Sequence, residues 1–156
     1  YPPHYIDTHV RNLMKPGVAC TFSLWSFIPD KRHSRLGLWL YECLRDLHLS
    51  IQAIKRPELC VRGMTFGFNT ELGRLFGFRT DIRRGEDGSL ALAMKPYGRL
   101  IFITSRKARA LTSNSTIDAD GSLARSFGVR LLKALKGATG LLYKKTTYKD
   151  KDSNLL

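Results

Sequence analysis

Cysteine, acidic residues and long apolar runs are all scarce in this 156-residue chain. The three cysteines, Cys20, Cys43 and Cys60, are an odd number at wide spacing. That excludes a disulfide framework or a paired-cysteine zinc knuckle, and no metal is expected. The thiols read as free and mostly buried, in a reducing, cytoplasmic compartment. No uncharged apolar run approaches the roughly 18 to 20 residues that span a bilayer, so no transmembrane segment is expected. The most apolar run, Val18 to Ile28, has only the length of a strand. Acidic residues number 13 against 26 Lys+Arg, a formal net charge of +13. The first residues lack a charged-then-apolar leader pattern, and Tyr1 where a Met would stand reads as the start of a processed, truncated or excised chain.

With 43% apolar and 10% aromatic residues, the chain can offset the entropy of ordering itself, which excludes wholesale disorder. Pro2 and Pro3 make residues 1–15 an expected N-terminal arm, followed by one α/β domain over 16–140 and a polar, flexible tail over 141–156. Positive charge is uneven: residues 1–78 hold 10 Lys+Arg and 6 Asp+Glu, whereas 79–156 hold 16 and 7. An anionic partner is expected, with the second half as its contact surface.

Val18 to Ile28, β-branched and aromatic, reads as a buried central strand ended by Pro29-Asp30. From Ser34, a suitable N-cap, the period changes. Leu36, Leu40, Cys43, Leu44 and Leu47 form the apolar stripe of an amphipathic helix, with Glu42, Arg45 and Asp46 off it. Leu49, Ile51 and Ala53 then alternate with polar residues, which predicts a strand over 48–54 and a parallel, right-handed crossover. Leu59 to Phe68 stays open between strand and irregular structure. Asn69 is placed to cap a short helix, Thr70 to Phe76, that stops at Gly77. Phe78 to Arg84 and Ser89 to Met94 read as a hairpin around the turn 85–88, and Leu100 to Thr104 as a short strand. Thr112 to Gly121 is a polar loop. A basic helix from about Ser122 to Lys136 carries Leu123, Phe127, Leu131, Ala134 and Leu135 on one side. The expected class is α/β (α+β): a mixed central sheet, an amphipathic crossover helix and a basic C-terminal helix.

The turn Pro29 to Gly37 carries the most chemistry. A basic, Gly-containing turn feeding a helix N-terminus offers free amides and the positive end of the dipole to a phosphate, with Arg32 and Arg35 adding charge-assisted contacts. A coenzyme A pyrophosphate would suit it; a solvated basic loop is the plainer alternative.

The order of strand, turn, helix, strand and short helix, closing on Leu75-Phe76-Gly77-Phe78-Arg79-Thr80, resembles the GNAT superfamily of N-acetyltransferases. The likeness covers about residues 18 to 104. It implies acetyl-CoA or another acyl-CoA as cofactor and an amine as acceptor. The backbone of Ser34, Arg35, Leu36 and Gly37, with Arg32, would cradle the pyrophosphate, and the strand carrying Leu24, Trp25 and Ser26 would hold the pantetheine arm. Acyl transfer also needs a base for the amine and an acid near the sulfur. The candidates are His33, Glu42, His48 and Glu71, with Tyr41 or Tyr97 as acids.

Two other readings come from the basic second half. Arg83, Arg84, Arg99, Arg106, Lys107 and Arg109, with aromatics among them, suit phosphate neutralisation and base stacking, as in a non-enzymatic RNA- or DNA-binding or ribosome-associated module. The last helix, with Tyr143-Lys144-Lys145 behind it, suits an anionic membrane surface. Finally, Ile117 to Leu123 is similar to the acidic motif of the LAGLIDADG homing endonucleases, although its own residues read as a polar loop whose Asp120 region caps the last helix.

Overall fold

The structure is a computed structural model of the chain, and it describes residues 1–82, 85–119, 121, 122, 124–128 and 132. Strand β1 (Val18–Ser23) is buried along its whole length, as its run of apolar and hydroxyl side chains without a charge requires. It is the centre of a three-stranded mixed sheet. Antiparallel β3 (Phe66–Phe68) pairs on one edge and parallel β4 (Arg99–Ile103) on the other. After Leu24 the chain continues as β2 (Trp25–Phe27), which pairs in parallel with β5 (Ala110–Thr112). The strand expected over 18–28 is thus two strands, each with its own parallel partner. Gly98 lets β4 begin close to β1, because a Cβ there would lie 2.9 Å from the Ala19 amide nitrogen.

Helix α1 (Tyr5–Leu13) occupies most of the stretch expected as an arm and packs on β1. Its anchor is polar: buried His9 places Nδ1 2.8 Å from Thr21 Oγ1 and Nε2 3.3 Å from Ser23 Oγ. Tyr5 packs at a tilt against the His9 ring, centroids 4.5 Å apart, and donates to the Met64 carbonyl.

Two corrections concern secondary structure. Helix α2 runs from Arg35 to Lys55, so the expected strand over 48–54, and the crossover built on it, are absent. Leu38, Tyr41 and Leu49 are buried along one helical face, so packing against the sheet prevails over a short local alternation. Ser34 caps the helix as expected, accepting from the Gly37 amide at 3.0 Å. The hairpin over 78–94 is also absent: Glu86–Met94 is helix α4, whose Leu90, Ala91 and Met94 reach the core. Gly85, at φ 88°, starts it, and Glu86 and Asp87 sit where acids favour a helix N-terminus. Helix α3 (Thr70–Phe76) follows its expected bounds, with Asn69 accepting from the amides of Glu71 and Leu72 and Gly77 at φ 63° closing it.

The segment 57–65 forms two short 3-10 turns. The polar stretch 112–121 holds a short helix, α5 (Ser115–Ala119), whose Ile117 is fully buried. Residues 124–128 are helical, and Ser122 caps them by accepting from the Arg125 amide. Leu132 is helical and exposed; the other residues of the expected basic helix beyond 128, and the tail over 141–156, lie outside the described residues. The main core joins Phe22, Leu24, Leu49, Val61, Leu90 and Met94, and each such side chain contributes roughly 1.5–3 kcal/mol by burial. A second cluster, Phe27, Leu38, Tyr41 and Ile117 with Phe127 against it, sits beneath the first half of α2.

Burial disfavours the charged imidazole and lowers the pKa of His9 below its ordinary 6.5. The unfolded chain therefore binds this proton more readily, so the contribution of His9 is fully present above about pH 6.5 and declines as pH falls towards the lowered value. Urea unfolding between about pH 7.5 and 5.5 is expected to show that decline, and His9→Gln to flatten it. An unchanged pH profile in the variant would place the titrating group elsewhere.

Candidate functional site

Helix α2 meets strand β2 through charge. The Glu42 carboxylate accepts from the Phe27 amide at 2.7 Å and from Ser26 Oγ at 2.9 Å. Arg109, which precedes β5, donates to Ser26 Oγ at 3.1 Å, lies 3.5 Å from Glu42 and forms an ion pair with Asp46. Asp46 also receives Arg45 at 2.7 Å, and Arg45 donates to the Trp25 carbonyl while its guanidinium lies 4.4 Å over the Trp25 ring. All four charged side chains are mostly buried. Ser26 is thus committed to Glu42 and Arg109, and the Phe27 amide is taken.

Above this network lies a cleft of about 480 Å³. Glu42, Asp46 and Arg109 line it together with Trp39, Tyr1 and Arg106. Trp39 is 59% exposed and Tyr1 75%; the Trp39 ring is open to solvent, and the Tyr1 ring has one side against Tyr5 at 4.5 Å and the other free. Arg106 and Lys107 stand in an exposed turn beside it.

A second cleft, about 490 Å³, lies at the basic turn between Arg32, His33, Ser34, Asp118 and Ser122. Here the Asp30 carboxylate accepts from the amides of Arg32 and His33, from the His33 ring and from Asn114. Its partial burial alone would raise the pKa; those hydrogen bonds outweigh it and hold the carboxyl at about 2. His33 Nε2 is 3.7 Å from Asp118. The turn therefore holds carboxylates as well as cations, and two of its amides are already engaged.

The expected catalytic residues do not converge. Glu42 lines the first cleft and His33 the second, while His48, Glu71 and Tyr97 line neither. Glu71 is exposed in the first turn of α3, His48 is half-buried on α2, and Tyr97 packs on Phe76 at 5.1 Å. Tyr41 belongs to the second apolar cluster. Of the expected cofactor residues, Leu24 is buried in the core, Trp25 lies under Arg45, and Leu36 points outward at 68% exposure. Arg35 follows the Ser34 cap and is exposed. Of the expected nucleic-acid face, Arg106 and Lys107 are exposed, and Arg99 donates to the Pro16 carbonyl. Arg109 departs from that face: Asp46 and Glu42 hold it at the floor of the cleft. Arg83 and Arg84 lie outside the described residues.

Trp39, Asp46 and Asn114 were not among the expected site residues. Asp46 four residues after Glu42 was legible as one helix face, but its partner Arg109 is 63 residues away. Cys20 and Cys60 are buried, with burial raising each thiol to about 12, whereas Cys43 is exposed and not the packing residue expected. Among the described residues no cluster of three His, Cys, Asp or Glu could hold a metal ion, and no helix is long and apolar enough to cross a membrane. Comparisons with protein-family models, curated proteins and solved structures find no match.

Removing the Arg109 charge leaves the Glu42 and Asp46 carboxylates with Arg45 as their one remaining partner cation among the described residues, under partial burial. Arg109→Met is expected to cost about 2–3 kcal/mol in urea unfolding near neutral pH, with most of the loss regained when Asp46→Asn is added. Additive losses in the double variant would show that the three side chains are not coupled.

Proposed function

We propose that the protein is a non-enzymatic basic module that binds single-stranded nucleic acid in the cleft between α2 and β5. One observation carries this: the exposed rings of Trp39 and Tyr1 stand beside Arg106 in a cleft large enough for a base. Bases stack on such rings without regard to sequence, and neighbouring cations neutralise the phosphates. Glu42 and Asp46 add acceptors for exocyclic amines, and Arg109 offsets their charge.

The charge balance of the surface supports the same reading. Asp7, Glu42, Asp46, Glu58 and Asp81 face Arg or Lys partners within the protein. Lys31, Arg32, Arg35, Arg74, Arg106 and Lys107 have no acidic partner among the described residues. A cytoplasmic location belongs to this reading. Acyl transfer from an acyl-CoA rests on the family resemblance and draws less from the geometry, since a pyrophosphate at Arg32 to Gly37 would meet Asp30 and Asp118.

Fluorescence anisotropy with a labelled oligo-dT strand tests the proposal across a salt series. Binding is expected to weaken steeply with salt, and Arg106→Ala with Lys107→Ala to reduce the slope by about 0.7 per lost phosphate contact. Trp39→Ala is expected to cost about 1–3 kcal/mol at any salt. No binding at low salt, or binding that all three substitutions leave intact, would remove the cleft from the account. Calorimetry with acetyl-CoA against adenosine bisphosphate supplies the other arm: saturable binding that requires the pantetheine arm would favour the transferase.

A further inference from the structure

Helix α2 turns six apolar side chains away from the protein. Leu36, Leu40, Leu44, Leu47, Ile51 and Ile54 are each between 44% and 80% exposed. Their spacing keeps all six within an arc of about 80° and along about 27 Å of helix. No charged residue falls inside that arc. The charges of α2 stand at its ends, Arg35 and Lys55, or on its docked side, Glu42, Arg45 and Asp46.

We propose that a second copy of this chain covers the stripe, α2 against α2 across a two-fold axis. Charge selects this partner over a lipid surface. An interfacial helix carries rows of Lys or Arg along the flanks of its apolar face, whereas Gly37, His48 and, at the last residue, a single Lys55 flank this arc on one side and Trp39, Cys43 and Ser50 on the other. A chain of net charge +13 can approach its own copy only where cations are absent, and this arc is such a place. Area is sufficient too. Side chains of this size offer on the order of 100 Å² each, so a pair would bury about 1,200 Å², the lower limit of stable interfaces. Two-fold pairing of identical helices also makes the contact self-complementary, and an antiparallel arrangement sets opposite dipole ends side by side. Trp39 lies outside the arc, so the dimer does not depend on the nucleic-acid reading.

Sedimentation equilibrium of the full chain over a concentration series tests this, with circular dichroism to confirm the fold of each variant. The wild type is expected to reach twice the 17.7 kDa of one chain. Leu40→Glu with Leu47→Glu, both at solvent-facing positions, is expected to weaken association at least about 100-fold. Should that variant lose helix signal, Leu47→Gln alone carries the same comparison. A wild type that stays monomeric throughout, or a dimer that the substitutions leave intact, would overturn the proposal. So would a monomer that co-sediments with phosphatidylglycerol vesicles and loses that binding in the same variants, which would assign the stripe to lipid.

Discussion

Glu42, Arg109 and Asp46 decide how α2 lies on the protein. Strand β2 is short, and on the side facing α2 its Phe27 amide and Trp25 carbonyl have no strand partner; Glu42 and Arg45 supply what a strand would have supplied. Leaving such groups unsatisfied in a partly buried place costs more than most single contacts gain. Arg109 then closes the set from β5, so that two carboxylates and two guanidinium groups offset one another in a region of low solvation.

That docking sets the rest of the surface. Because the helix satisfies β2 with its polar side, its most regular apolar stripe is turned to solvent, and a smaller set, Leu38, Tyr41 and Leu49, fills the interior. Because Glu42 and Asp46 are held by Arg109, the cleft above them is close to neutral at its floor and cationic at its rim, where Arg106 stands. The two inferences about partners, a nucleic-acid strand at the cleft and a second copy at the stripe, follow from this one orientation.

Much of the local structure was legible in the sequence. The central strand, the Ser34 and Asn69 caps, the Gly77 stop and the strand near Leu100 all rest on short-range chemistry. The failures are those of short patterns overruled by packing. The alternation at 49–53 gave way to a helix because Leu49 buries from the same face as Leu38 and Tyr41. The Gly-Glu-Asp-Gly turn became a helix start because Leu90, Ala91 and Met94 complete the core. The stripe of α2 is apolar, as its spacing indicates, and the structure turns it to solvent rather than to the core. No local pattern could reveal that Arg109 would reach Asp46, and without that pair neither the orientation of α2 nor the cleft can be derived. The wider mixed α/β class survives these changes, and α2 lies in the long connections that join the parallel pairs β1/β4 and β2/β5; the strand over 48–54 and the hairpin do not survive.

The orientation of α2 is best tested by the reactivity of its own thiol. Cys43 lies beside the stripe and is exposed, whereas Cys20 and Cys60 are buried. At a dilution where sedimentation shows the monomer, a neutral maleimide followed by peptide mapping is expected to modify Cys43 promptly and the other two only after unfolding. A Cys43 as protected as Cys20 and Cys60 would mean that α2 packs through its apolar stripe, and the polar docking described here would be wrong.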